Sequence, residues 1–278
     1  MSWQLTNAVE DFLAAAGDFL RAERARNTIA LTVTQSLRAD PSLYSSPLLG
    51  WCTGAAGVSA AFLHTPPFPA FLTAMDGAVA SALADELLPA RPDLPGIAAP
   101  EDTAWSFAGA WRERAGRDAT VRRRERLFRL GQLSWPDPRP DGAARLAGGG
   151  DRDLLQDWLS WFGTETELAS ARDFSQTIAS RLSYGGFTLW QAGGIPVSLA
   201  GQSRAVDGMV RIGPVYTPPE HRGRGYGGAV TAAVSQSAVA AGIGEVLLYT
   251  DLANPVSNAL YRRLGYQPVE DRIVLTFG

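Results

Sequence analysis

Between Thr217 and Val230 the chain reads Pro218-Pro219-Glu220-His221-Arg222-Gly223-Arg224-Gly225-Tyr226-Gly227-Gly228. Glycines let a backbone turn sharply with its N–H groups pointing inward, unobstructed by Cβ atoms. A helix beginning there adds the positive end of its dipole, so the turn suits a phosphate or pyrophosphate. Arg222 and Arg224 bring positive charge, and a charge-assisted hydrogen bond contributes roughly 1.5–3 kcal/mol. Two glycine fingerprints compete. Gly223-x-Gly225-x-x-Gly228 formally satisfies that of a dinucleotide fold, with Asp251 at a plausible spacing for a ribose contact. That fold places its glycines directly after its first strand and needs much more chain afterwards. Here residues 218–222 intervene and only 50 residues follow Gly228. A nucleotide P-loop requires a lysine, and all 25 basic residues are arginine. The other pattern, Arg/Gln-x-x-Gly-x-Gly/Ala, is met by Arg222-x-x-Gly225-x-Gly227.

Further along, Asn254-Pro255-x-x-Asn258-Ala259-Leu260-Tyr261-Arg262-Arg263-Leu264-Gly265-Tyr266 reads as a short helix. Asn caps free N–H groups, Pro suits the first helical position, and Gly265 is placed to end the helix. Leu260 and Leu264, four apart, face the core, with Tyr261 beside them. Together with the strand Val215-Tyr216-Thr217, the Pro219-Glu220-His221-Arg222-Gly223 lead-in and a strand over 246–250, this stretch resembles the GNAT superfamily of acyl-CoA-dependent N-acetyltransferases.

The resemblance implies acetyl-CoA as cofactor, its pyrophosphate resting on Arg222, Gly223, Arg224, Gly225, Tyr226, Gly227 and Gly228. It implies a contact from Asn254 to the cofactor arm, and a Tyr261 near the sulfur that can protonate the departing thiolate. It also implies a splayed strand edge at Val215, Tyr216 and Thr217. There an exposed backbone N–H, of Tyr216 or Thr217, stabilises the oxyanion formed when an amine attacks a thioester. The attacking ammonium must lose a proton. Glu165 and Glu167, expected near the start of a helix bordering the acceptor cleft, are candidate bases. So are Asp251 at the end of a central strand, Glu220 and His221; water is the remaining acceptor. The expected activity is acetyl transfer to a primary amine of a small molecule or peptide. A non-catalytic acyl-CoA binder and a transferase of another acyl chain, or to a hydroxyl, are the alternatives.

The elements that must position these groups alternate helix and strand, which predicts an α/β fold with a central sheet flanked by helices. A composition break at Trp135-Pro136-Asp137-Pro138-Arg139-Pro140-Asp141-Gly142 stops regular structure and sets a boundary between residues 1–138 and 139–278. Trp51-x-x-Gly54-x-x-x-Val58-Ser59-x-Ala61 recurs as Trp190-x-x-Gly193-x-x-x-Val197-Ser198-x-Ala200, 139 residues later at all five positions. This echo suggests an internal duplication: two tandem GNAT-like units, each a mixed, mostly antiparallel sheet flanked by helices. In the first half helices are expected over 8–26, 28–38, 76–88 and 102–115, a hairpin around Gly54, and a strand over 126–133. In the second, strands are expected over 143–147, 187–190, 197–200, 209–216, 245–250 and 272–277. Helices are expected there over 151–162, 167–182, from the glycine run to 241, and over 255–264. The first half has no Arg-x-x-Gly-x-Gly. Around Pro66-Pro67-Phe68-Pro69, the place expected for that loop, proline and aromatics stand instead, so it reads as a degenerate unit that shapes the acceptor pocket.

Composition bounds the rest. The chain has 278 residues, 46% apolar and 19% charged, which suits two globular domains. A net charge of −3 is poor electrostatics for nucleic acid. One cysteine, Cys52, and two histidines, His64 and His221, leave too few ligands for a zinc site. Acidic residues interrupt the apolar stretch near the N-terminus, and no run of about 18 apolar residues is present to span a bilayer. The expectation is a cytoplasmic protein, monomer or homodimer, without metal.

Overall fold

A computed structural model describes residues 2–166 and 173–278. Its first ten elements are β1 (Ser2–Thr6), α1 (Val9–Ala22), α2 (Thr28–Ala39), β2 (Leu48–Gly54), β3 (Gly57–His64), β4 (Ala70–Leu72), α3 (Gly77–Ala90), β5 (Gly96–Ala99), α4 (Glu101–Ala115) and β6 (Ala119–Leu130). The next ten are β7 (Ala143–Leu146), α5 (Arg152–Glu165), α6 (Ser175–Leu182), β8 (Phe187–Ala192), β9 (Ile195–Gln202), β10 (Met209–Tyr216), α7 (Tyr226–Ala240), β11 (Glu245–Asp251), α8 (Pro255–Arg263) and β12 (Tyr266–Phe277). Both series run strand, two helices, three strands, helix, strand, helix, strand. The α/β plan is laid down twice.

By compactness the chain forms two units. One comprises residues up to Leu127 with Thr250–Asn254 and Val269–Gly278; the other comprises Phe128–Tyr249 with Pro255–Pro268. In the first unit β1, β2, β3 and β4 pair antiparallel in sequence, β4 pairs β5 parallel, and β5 pairs the end of β12 antiparallel. Trp3, Phe62, Leu72, Ile97 and Leu275 from these strands meet Leu83, Phe107 and Trp111 of α3 and α4 in its core. In the second unit β7, β8, β9 and β10 are antiparallel and β10 pairs β11 parallel. Strand side chains alternate between faces, and here both faces are covered. Phe187, Leu189 and Leu199 pack with Trp158 and Leu159 of α5. Trp190, Val197 and Ala200 pack with Ala229, Val230 and Val234 of α7.

The repeat is real in architecture but one residue out of step with the sequence echo. Each hairpin has the same bulge, between Cys52 and Thr53 in β2 and between Trp190 and Gln191 in β8. The closing pairs are Gly54↔Gly57 and Ala192↔Ile195, so structural counterparts lie 138 residues apart. Trp190 therefore corresponds to Cys52, and Ser198 to Ala60. Because neighbouring strand residues face opposite sides, the 139-residue match pairs residues that point to different cores.

Other expectations change too. The residues 66–69 join β3 to β4, whereas the counterpart of the glycine-rich turn joins β4 to α3. β1, β4 and β5 were not expected; they are short, and β4 and β5 are buried on both faces, so no alternation betrays them. β6 begins at Ala119 rather than 126, and along it Arg124 pairs with Glu101 and Arg126 with Asp271, each at 2.6 Å. β12 likewise begins at Tyr266 rather than 272. The helix expected over 167–182 starts at Ser175, where Asp173 accepts from the Ser175 N–H at 2.8 Å, a first-turn donor with no helical partner. Its first six residues lie outside the described residues.

Candidate functional site

Everything at the site starts from how β10 ends. Its parallel pairing with β11 covers Met209↔Glu245 to Ile212↔Leu248 and stops. Pro214 has no N–H to donate, and the register against β9 shifts between Ile212 and Val215. Arg181 of α6 donates to the Gly213 carbonyl at 2.7 Å and steadies this bulge. Past it, Val215 and Tyr216 pair only with Ala200 and Leu199 of β9. Tyr216 is buried with its ring 6.1 Å from that of Trp158. Burial, and then the nearby Glu165 carboxylate, push its phenol above the usual range. The Ser198 hydroxyl donates to the Tyr216 carbonyl at 3.1 Å and lies 2.8 Å from Thr217 Oγ1.

The glycine-rich turn follows. Residues 219–221 form one 3₁₀ turn, with His221 N–H donating to the Pro218 carbonyl at 2.9 Å. Gly223 and Gly225 take φ of +75° and +81°, which favour glycine, and Gly225 stands at the head of α7. A Cβ on Gly227 would lie 3.3 Å from Thr217 Oγ1, and one on Gly228 would strike Leu260 Cδ1 at 2.9 Å, so small residues let the helix start sit close. No side chain caps this helix. Ala229 N–H donates to the Gly225 carbonyl at 3.0 Å, and the N–H groups ahead of it in the first turn have no helical partner. Arg224 is exposed, and no hydrogen bond or ion pair engages it among the described residues. Bare amides, a helix dipole and an unpaired guanidinium fit a diphosphate. Arg222 is otherwise employed: Nε donates to the Thr217 carbonyl at 2.9 Å, and Nη2 lies 2.7 Å from both Glu165 oxygens.

The remaining expected residues divide between the units. Glu165 is the last residue of α5, not near a helix start, and its carboxylate faces Arg222. Glu167 lies outside the described residues. Tyr261 sits in the second unit's core, 7% exposed, its ring 6.5 Å from Phe128 and 6.0 Å from Tyr266. Its hydroxyl has no hydrogen-bond partner among the described residues, and burial pushes it up to about 12. Tyr266 instead shares a 2.7 Å hydrogen bond with Ser235. Glu220 is exposed and His221 half-buried on the 3₁₀ turn. Asp251 and Asn254 belong to the first unit; Asp251 Oδ1 accepts from Ala253 N–H at 2.8 Å, and Asn254 N–H donates to the Asp251 carbonyl at 3.1 Å.

Sequence reading did not pick out Ser198 as a site residue. The available signal was a hydroxyl at a core position, between Val197 and Leu199, where a buried polar group needs partners. In the first unit α3, like α7, starts without a side-chain cap, but the turn before it carries no arginine. Thr103 Oγ1 accepts from Met75 N–H and donates to the Met75 carbonyl, both at 3.1 Å, and Asp76 stands at the helix start. Among the described residues no group of three His, Cys, Asp or Glu could hold a metal ion, and no helix is long and apolar enough to cross a membrane.

Residues 196–274, which include β10, the turn, α7 and α8, match the family described as FR47-like protein. No curated protein matches the chain. Among solved structures, a Drosophila protein aligns over 99% of this chain and 98% of its own, at 13% identity and a TM-score of 0.71. A GNAT-family acetyltransferase from Colwellia psychrerythraea aligns over 100% and 99%, at 9% identity and a TM-score of 0.60. A tandem GNAT protein from the clavulanic acid biosynthesis pathway aligns over 100% and 98%, at 14% identity and a TM-score of 0.57. At these identities the likeness speaks for the fold, and the fold is that of a tandem GNAT protein.

Proposed function

We propose that this chain, a tandem GNAT fold with one open cradle, moves an acetyl group from acetyl-CoA to a primary amine. One observation carries the reading: in the second unit β10 leaves its parallel neighbour where α7 begins with bare N–H groups, a free Arg224 and no side-chain cap. Acetyl-CoA supplies the acyl group as a thioester. The amine nitrogen forms a bond to the acyl carbon, the C–S bond breaks, and sulfur leaves with its electron pair. The amides of residues 223–228 and Arg224 hold the diphosphate, and an N–H at the end of β10 faces the oxygen on which charge develops. The Tyr261 phenol, unpartnered and pushed up to about 12, stays protonated and donates a hydrogen bond to the departing sulfur. Full transfer to a thiolate, whose conjugate acid titrates at about 8.5, is uphill. With Glu165 engaged by Arg222, the ammonium proton passes to water. The first unit, whose turn has no arginine and puts the Asp76 carboxylate at the helix start, binds no second carrier. Cys52 is buried and free, which suits the cytoplasm.

Calorimetry with coenzyme A, and thiol release from acetyl-CoA with a panel of amines, test this. Tyr261→Phe should lower turnover roughly 100-fold while leaving coenzyme A affinity unchanged. No binding at millimolar carrier removes the reading, and two carriers per chain by native mass spectrometry remove the role given to the first unit.

A further inference from the structure

Ser198 is fully buried, on β9, and its hydroxyl serves the last peptide of β10. A serine has one O–H to give. With that proton on the Tyr216 carbonyl, the Thr217 hydroxyl must donate to Ser198 Oγ, so the last residue of β10 and the one after it are drawn toward β9. The peptide joining Tyr216 to Thr217 is planar and trans, and its N–H points opposite to its C=O. Holding the carbonyl toward β9 therefore aims the Thr217 N–H away from β9. That N–H has no hydrogen-bond partner among the described residues, and the parallel ladder to β11 has already ended at Ile212.

The first unit lacks this device. At the counterpart of Ser198 stands Ala60. There Thr73, just past β4, turns its own N–H to the Ala61 carbonyl at 3.0 Å and accepts the Ala61 N–H on its hydroxyl at 2.9 Å. The counterpart of Thr73 is Tyr216, so the same pattern puts the Tyr216 N–H on the β9 side and the Thr217 N–H outward.

We propose that Ser198 is a positioning residue: its hydrogen bonds to the Tyr216 carbonyl and the Thr217 hydroxyl turn the Thr217 N–H toward the acyl oxygen of a bound thioester. This rests on the acyl-CoA reading of the same site. It selects Thr217 over Tyr216 as the donor and assigns a role to a side chain that never touches the carrier.

Isotope-edited infrared spectroscopy of acetyl-CoA labelled at the thioester carbonyl tests it. Bound to the wild-type chain, the carbonyl band should move to lower wavenumber than in solution. Ser198→Ala should lose that shift while keeping coenzyme A affinity within about twofold, and Ser198→Thr, which keeps the hydroxyl on a strand-favouring side chain, should retain it. On the wild-type chain alone, the Thr217 amide proton should move downfield with acetyl-CoA and not with coenzyme A, whereas that of Tyr216 should not; this holds whatever the variants do to folding. An unshifted carbonyl on bound carrier, a shift that Ser198→Ala preserves, or a response at Tyr216 in place of Thr217 overturns the assignment alone. Absence of binding overturns the acyl-CoA reading and the assignment with it.

Discussion

Arg222 and Arg224 stand two residues apart and point to different tasks. Arg222 ties the end of β10 to the end of α5 through Thr217 and Glu165. Arg224 has no partner among the described residues and is the side-chain charge open to an anion. Replacing Arg224 with Ala should weaken coenzyme A binding by about tenfold at low salt, and less as salt screens an exposed charge. Titration calorimetry at two ionic strengths reads this; an affinity that stays put removes Arg224 from the site. The motif spacing revealed both arginines, because spacing records where the backbone turns. Which guanidinium is free depends on Glu165, 57 residues away in the chain, and no local pattern encodes that.

Among the elements, α8 shows how much a helix end can carry. Gly265 takes φ of +95°, and a Cβ there would lie 1.8 Å from the Gln132 carbonyl oxygen. Gly131 N–H donates to the Gly265 carbonyl and Ser134 N–H to that of Leu264, both at 3.0 Å. Gly265→Ala should therefore destabilise the protein by roughly 2–3 kcal/mol or more. Gly193→Ala, at φ of +59° with nothing within 4 Å of the added carbon, should cost only about 1 kcal/mol. Thermal unfolding of the two variants checks the contrast, and equal losses would show that the close approach at Gly265 does not matter. The helix-stopping glycine was legible, since a Gly after an apolar-periodic run is a local signal. Its second duty was not, because the obstructing carbonyl comes from a distant segment.

For the molecule as a whole, acid response separates structure from site. His64 is buried, with Nδ1 3.3 Å from Arg91 Nε; burial, and then the Arg91 charge, lower its pKa from 6.5 to about 4. A base that binds its proton less readily when folded contributes stability above pH 6.5 that is lost as pH falls toward 4. Glu125 is buried too. Desolvation pushes its carboxyl up, but Arg272 and Arg123 more than reverse this and hold it at about 2, so its contribution is lost only between about pH 4.5 and 2. Denaturant unfolding at pH 7, 5 and 4 should show falling stability, and His64→Gln should flatten that slope; an unchanged slope assigns the loss to other groups. Both residues belong to the first unit, so carrier binding to the second should keep the same proton dependence.

Legible in the residues alone were the α/β class, the tandem plan, the glycine-rich turn and the helix that follows it. All but the tandem plan, which rests on the 139-residue echo, follow from nearest-neighbour physics: glycine's open φ, periodic apolar faces, caps and breakers. Contacts between distant segments set the hairpin register, the short buried strands, the tie of Thr103 to Met75 and the direction of the Thr217 N–H. Those depend on groups brought together from far apart in the chain. A one-residue shift in a strand or a single hydroxyl on a neighbouring strand changes which face a group meets without leaving a mark on local pattern.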